Sequence, residues 1–298
     1  MLGLVLTLLL PLDGALADGR LSVDCTTTAS RFEAFRMPMP VLSRTAEILV
    51  YLPPGYDCAT LHRYPVFYLN DGQDLFEWSW PRSTLDPEAV AMIASGRLGY
   101  GTWRLETQLD SAVAEDRLPP MIIVGIGSGN GPRSRDLVPV PWSGSVEGRG
   151  VDFGQFISGS LIPEIDRRYR TRANRFCRGI GGASLGGVSA LHIGLAHAHQ
   201  FGLVLSMSPV LGDQAIADHV AGLWRTSGEG ARSTILVDFD MGAVGDADLI
   251  WLTDLLSDMS GGHRTIVERA LGSTHTIDSW AERVIPAMEI LIGNRCEG

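Results

Sequence analysis

The stretch Ile180-Gly181-Gly182-Ala183-Ser184-Leu185-Gly186-Gly187 runs directly into a helix-period segment, Val188 to Ala198. Gly182, Ser184 and Gly186 form Gly-x-Ser-x-Gly, with the pattern of a buried strand ahead of it, Arg175 to Gly181. Strand, sharp turn and helix are the setting of a nucleophile elbow. A serine that must project from the carboxyl edge of a sheet sits on a strained turn. Residues two before and two after it crowd the backbone, so only very small ones fit. The helix behind Ser184 points its positive end at the site, and the backbone N–H of Leu185 can meet a developing oxyanion. Five residues alone would equally suit a Gly-rich turn between any strand and any helix; the flanks decide for the elbow.

On the amino-terminal side, Arg31 to Met37 and Thr45 to Leu52 read as strands joined through Pro38 and Pro40. Tyr64 to Leu69 is a short apolar strand that empties into Asn70-Asp71-Gly72-Gln73-Asp74-Leu75-Phe76, a turn followed by an aromatic-rich loop. Trp78, Trp80, Tyr100 and Trp103 crowd that loop, either packing it down or offering a substrate platform. Leu105 to Glu115 reads as a helix and Met121 to Ile126 as a buried strand. Gly127 to Gly150 is too long and too rich in Gly, Ser and Pro for a minimal connection. Phe153 to Arg168 has helical spacing, with Pro163 marking a kink or a new first turn.

Beyond the elbow, Leu203 to Met207 and Thr234 to Phe239 are strands whose interval has room for one short helix and not for a lid domain. Leu249 to Met259 is an amphipathic helix, Thr265 to Ala270 a last strand, and Ser279 to Ile292 a closing helix. Alternation of strands and helices from Tyr64 onward implies a mostly parallel sheet covered on both faces. Ligands then belong at the carboxyl ends of its strands.

No linker divides the 298 residues, and 45% hydrophobic with 19% charged residues supplies a large core. Met1 to Leu12 is an apolar run, and Ala15-Leu16-Ala17 offers a cleavage site before Asp18. Residues 1–17 therefore read as a signal peptide and 18–298 as one domain, exported to the periplasm or beyond. With no Lys or Arg before Arg20, a membrane anchor is the alternative. A net charge of -10 argues against nucleic acid or an anionic membrane surface as partner. The four cysteines lack metal-ligand spacing, and the topology puts all four at the sheet edge opposite the elbow. That predicts the pairs Cys25–Cys58 and Cys177–Cys296, if export allows oxidation.

A serine hydroxyl is a poor nucleophile unless a base takes its proton and a carboxylate orients the base. In this fold the chain order is Ser, acid, His, each on a loop after a strand. His192, His197 and His199 ride the helix behind Ser184, His219 falls in another helix, and His263 precedes the last strand. His275 alone follows it. For the acid, the loop Asp240-Met241-Gly242-Ala243-Val244-Gly245-Asp246-Ala247-Asp248 offers three carboxylates. Asp246 is preferred, then Asp248, then Asp240, because a few loop residues let a carboxylate turn back towards the imidazole. The second oxyanion donor falls at the N–H of Gln73, where Gly72 lets the backbone pass close to the acyl group; an ordinary Asp-Gly turn is the plainer reading.

Five segments together resemble the Putative esterase family of α/β-hydrolases. They are Tyr51-Leu52-Pro53-Pro54-Gly55-Tyr56, the turn Tyr68 to Phe76, the segment Leu161 to Thr171 with its Pro163-Glu164-Ile165-Asp166-Arg167-Arg168-Tyr169, the elbow, and Ser206-Met207-Ser208-Pro209. That family includes enterochelin esterases, feruloyl and acetylxylan esterases, S-formylglutathione hydrolases and mycolyltransferases. The resemblance spans Arg31 to Ile292. It implies an α/β-hydrolase fold without a large lid, no metal or organic cofactor, and cleavage of carboxylic esters through an acyl-serine intermediate. The substrate class is a carbohydrate-linked, feruloyl, acetyl or siderophore ester. Acyl transfer of the mycolyltransferase type is the alternative; a non-catalytic binding protein on the same fold is the alternative of another class, against which intact Ser184 and His275 speak. His275 followed by Trp280 matches the family's His with a Trp five residues on. Two positions depart from the pattern. The offset that should carry the acid after Gly242 holds Gly245, with only the register from Gly245 reaching Asp248. In Arg133-Ser134-Arg135-Asp136-Leu137-Val138-Pro139, Leu137 stands where a Tyr is usual.

Overall fold

A computed structural model of the chain describes residues 29–77, 102–127, 133–142, 147–227, 231–240, 262–270 and 272–296. The leader 1–17, Cys25, Trp78, Trp80, Tyr100, the helix expected from Leu249 to Met259, and the candidate acids Asp246 and Asp248 lie outside the described residues.

The strands are β1 (Arg31–Met39), β2 (Arg44–Leu52), β3 (Val66–Asn70), β4 (Ile122–Gly127), β5 (Arg178–Ala183), β6 (Leu203–Met207), β7 (Thr234–Asp240) and β8 (Arg264–Ala270). Among the described residues they form one eight-stranded sheet in the order β1-β2-β4-β3-β5-β6-β7-β8. β1 with β2 and β2 with β4 are antiparallel, and every other pair is parallel. The carboxyl ends of β3 to β8 thus share one edge, which β5 reaches at Ala183, one residue before the elbow serine.

The helices are α1 (Leu105–Ala114), α2 (Arg133–Leu137), α3 (Gly150–Phe156), α4 (Ile162–Arg168), α5 (Leu185–Ala196), α6 (Gln214–Ser227) and α7 (Ile277–Ile292). Strand side chains alternate between faces, and here both faces are covered. Val66, Tyr68, Ile122, Val124 and Val237 pack into a core with α3 to α6. Phe67, Leu69, Ile123 and Leu236 pack into a second core with α1 and α7. Each fully buried Leu, Ile, Val or Phe contributes about 1.5–3 kcal/mol. The sheet therefore stands as a rigid base for the groups at its edge.

Three boundaries differ from the sequence expectation for local reasons. Tyr64 makes only an isolated bridge to Thr171, because Pro65 has no N–H to give to a ladder and pairing begins at Val66. β5 starts at Arg178 and not Arg175, since the Asn174 side chain accepts the N–H groups of Phe176 and Cys177 and winds them into a 3-10 turn. A π turn, Ile157–Leu161, joins α3 to α4 without a break, and Pro163 sits in the first turn of α4.

Cys177 and Cys296 form a disulfide with Cα atoms 5.4 Å apart, tying the start of β5 to the chain beyond α7 at the edge away from the elbow. Cys58 is a free, half-exposed cysteine; its expected partner Cys25 lies outside the described residues. No helix of the described residues is long and apolar enough to cross a membrane.

Candidate active site

Ser184 caps α5 with φ 57° and ψ -123°, the strained backbone the sequence demanded of it. A Cβ on Gly182 would lie 2.7 Å from the carbonyl of Gly186, and one on Gly186 would lie 2.8 Å from Asp71 Oδ2. Any larger residue at either position would push the turn open. The Ser184 N–H donates to the Met207 carbonyl at 2.9 Å, so the end of β6 fixes the turn from the other side.

His275 lies in the connection from β8 to α7, one residue before the helix cap. Thr276 Oγ1 accepts the Ser279 N–H at 3.4 Å, and that cap sets where the helix begins and so where His275 is held. Its Nε2 is 2.9 Å from Ser184 Oγ, across a sequence separation of 91 residues. The ring meets Trp280 edge to face at 4.9 Å.

The carboxylate against His275 is that of Asp240, whose Oδ2 is 3.2 Å from Nδ1. Asp240 is the third-ranked of the three candidate acids; Asp246 and Asp248 lie outside the described residues. β7 runs one residue past Phe239, and strand alternation turns Asp240 to the α7 face at the level of His275. No loop residues are needed to bring the carboxylate back, and Asp240 already fills the position facing Nδ1. Asp240 is only 1% exposed.

The turn after β3 stands beside the elbow. Asp71 adopts φ 59°, and Gln73 is half-buried in the short 3-10 turn Gly72–Asp74. Gly72 is required by closeness, since a Cβ there would be 2.6 Å from the Gly125 carbonyl carbon. Asn70 Nδ2 donates to the Gly186 carbonyl at 2.9 Å. Arg133 of α2 grips Asp71 with two charge-assisted bonds, Nε to Oδ1 at 2.6 Å and Nη2 to Oδ2 at 2.7 Å. Asp136, three residues on, is buried in an ion pair with Arg44. The turn carrying Gln73 is therefore tethered to the amino end of α5, whose first residue, Leu185, has no intrahelical acceptor for its N–H.

Of the other histidines, His263, His192 and His219 are held in hydrogen bonds within the fold. His263 Nδ1 accepts the Ser233 N–H at 3.1 Å, at the opposite sheet edge. His192 and His219 share a 2.9 Å hydrogen bond between α5 and α6. Burial, chiefly, pushes the His192 imidazole down to about 3. Among the described residues no group of three or more His, Cys, Asp or Glu could hold a metal ion.

The sequence reading gave no role to Asp238, Arg283 or Ser208 and did not join Arg133 to Asp71. The visible signal for the first two was Asp238-Phe239-Asp240, two acids on one face of an otherwise apolar strand.

A mostly parallel sheet with a strained Ser at the end of β5 and a His after β8 is an α/β-hydrolase. The chain belongs to the Putative esterase family, whose profile matches residues 40–252. It is 28% identical over 166 residues to the uncharacterized protein YbbA of Bacillus subtilis (strain 168), covering 53% of this chain and 54% of that one. It is 28% identical over 157 residues to an endo-1,4-beta-xylanase/feruloyl esterase of Xylanibacter ruminicola, covering 51% of this chain and 18% of that one. The chain thus spans about half the length of the first relative and under a fifth of the second. In structure it is similar to an IroE-like serine hydrolase from Shewanella oneidensis, with a TM-score of 0.67, 20% identity, and 89% and 81% of the two chains covered.

Proposed function

We propose that this protein is a serine esterase that cleaves carboxylic esters through an acyl intermediate on Ser184. The observation that carries the reading is the unbroken chain from Ser184 Oγ to His275 Nε2 at 2.9 Å and from His275 Nδ1 to Asp240 Oδ2 at 3.2 Å. In the first half-reaction His275 takes the Ser184 proton as Oγ attacks the acyl carbon, and the N–H groups of Leu185 and Gln73 meet the oxyanion. The tetrahedral adduct collapses, and His275 gives its proton to the departing alkoxide. In the second half-reaction water attacks the acyl carbon with His275 again as base, and the acid leaves Ser184. Asp240 holds the imidazole with its acceptor nitrogen towards Ser184 and balances the imidazolium.

The similarity to a protein named feruloyl esterase favours a feruloyl ester, and the family keeps carbohydrate-linked, acetyl and siderophore esters beside it. The Cys177–Cys296 disulfide favours an oxidising compartment and thus an exported protein. One panel tests the reading: short acyl nitrophenyl esters, feruloyl and acetyl sugars, and a cyclic siderophore ester, each with wild type and Ser184→Ala. Turnover of at least one ester that vanishes in a folded Ser184→Ala protein is the expected result. Equal activity in the two proteins would end it.

A further inference from the structure

Asp238 and Asp240, two apart on β7, face the same side of the sheet, 3% and 1% exposed. One guanidinium, that of Arg283 on α7, lies against both. Its Nη1 is 3.1 Å from Asp238 Oδ2 and its Nη2 is 3.7 Å from Asp240 Oδ2. Nε donates to the Ser279 carbonyl at 3.0 Å, which locks the side chain along its own helix. Nη2 also donates to Ser208 Oγ at 3.1 Å, an oxygen that Trp280 Nε1 approaches at 3.3 Å. Ser208 has φ 43°, and its N–H donates to Asp238 Oδ1 at 2.8 Å. The residue before it, Met207, is the one whose carbonyl accepts the Ser184 N–H. Asp238 therefore holds the end of β6 that fixes the nucleophile turn, while Asp240 orients the base.

We propose that Arg283 is a positioning residue for the reaction: by lying against both β7 carboxylates it keeps them charged side by side, so that one orients His275 while the other holds Ser208 and the nucleophile turn. This rests on the serine mechanism proposed above. Two buried carboxylates on one strand face oppose each other's ionisation, and a shared cation relieves that. Burial first, with the Asp240 charge adding and Arg283 opposing, pushes the Asp238 carboxyl up to about 6. Among the described residues the other titratable groups facing the pair are His275 and Glu268. Glu268 is the exposed register partner of Asp238 on β8. β6 contributes none.

The test is the pH profile of kcat/KM on a nitrophenyl ester for wild type, Asp238→Asn, Arg283→Met, Arg283→Lys and the Asp238→Asn/Arg283→Met double variant. Removing the cation should move the acidic limb up by roughly one pH unit, and removing the neighbouring carboxylate should move it down by a similar amount. The double variant should return near wild type, and Arg283→Lys should lie between wild type and Arg283→Met. A limb that stays put in folded Asp238→Asn and Arg283→Met proteins, or a rate that falls equally at every pH, overturns the proposal. Should Arg283→Met not fold, Asp238→Asn decides alone, because Asn can still accept the Ser208 N–H. Histidine proton NMR on the same proteins follows proton uptake at the site without substrate. A protein without esterase activity and an Arg283 uncoupled from the site would therefore give separate results.

Discussion

Replacing Asp240 by Asn keeps the side chain's size at a position only 1% exposed and removes the charge that faces His275. In the proposed mechanism His275 becomes an imidazolium as Ser184 attacks, with its nitrogen 3.2 Å from the carboxylate; at an effective dielectric of ~20 that attraction is roughly 5 kcal/mol. An Asn amide turned towards Nδ1 would also donate where Asp accepts. The imidazole would then carry its proton on Nε2 and offer Ser184 a donor where it needs an acceptor. At about 1.36 kcal/mol per tenfold, the loss should be between ~10³ and ~10⁴ in kcat. Initial rates on a short acyl nitrophenyl ester measure it, with circular dichroism to confirm the fold. Asp246→Asn and Asp248→Asn should stay near wild type in the same assay. A folded Asp240→Asn enzyme within tenfold of wild type, beside an Asp246→Asn enzyme that is nearly inactive, would refute the assignment and return the acid to the loop.

Ser184→Ala and His275→Ala should each lower turnover by several orders of magnitude, and the double variant should lose little more than either, since the two act as one unit; additive losses in steady-state kinetics would contradict this. Arg133→Leu leaves Asp71 without its two charge-assisted bonds and loosens the turn bearing Gln73, so kcat should fall by roughly tenfold or more with KM less affected. An unchanged kcat would show that the pair does not serve the turn. Changing Cys177 and Cys296 to Ser opens a loop of 119 residues and should destabilise the fold by up to about 5 kcal/mol, read as a lower Tm by calorimetry without reductant. His192, held at about 3 against an ordinary 6.5, binds fewer protons folded than unfolded between those values. Stability is therefore fully present above 6.5 and lost as pH falls towards 3, by an amount of the order of a few kcal/mol. Urea titrations at pH 7 and pH 5 should show that slope flattened in His192→Gln.

The parallel run of strands, the crowded turn at Ser184 and the sheet edge at which His275 emerges were legible because each is written in backbone direction. Two glycines around a serine announce a crowded turn. A histidine just past the last parallel strand can only emerge at the carboxyl edge. The Cys177–Cys296 pair followed from the same argument applied to the opposite edge. What escaped was fixed by reach and not by direction. Asp240 faces His275 because β7 pairs with β8 as far as Ala270 and because Thr276 caps α7 where it does, and both depend on contacts distant in sequence. Arg133 meets Asp71 across 62 positions, with no local pattern to announce it. Yet Asp238 and Asp240 carried a demand that could have been followed further. A strand covered on both faces does not keep two carboxylates on one of them without a cation from the covering element. The helix on that face runs Ile277 to Ile292, and Arg283 is its single basic residue. Once the sheet's faces are assigned, charge balance alone selects Arg283, and the selection needs only the alternation of β7 and the identity of the helix laid across it.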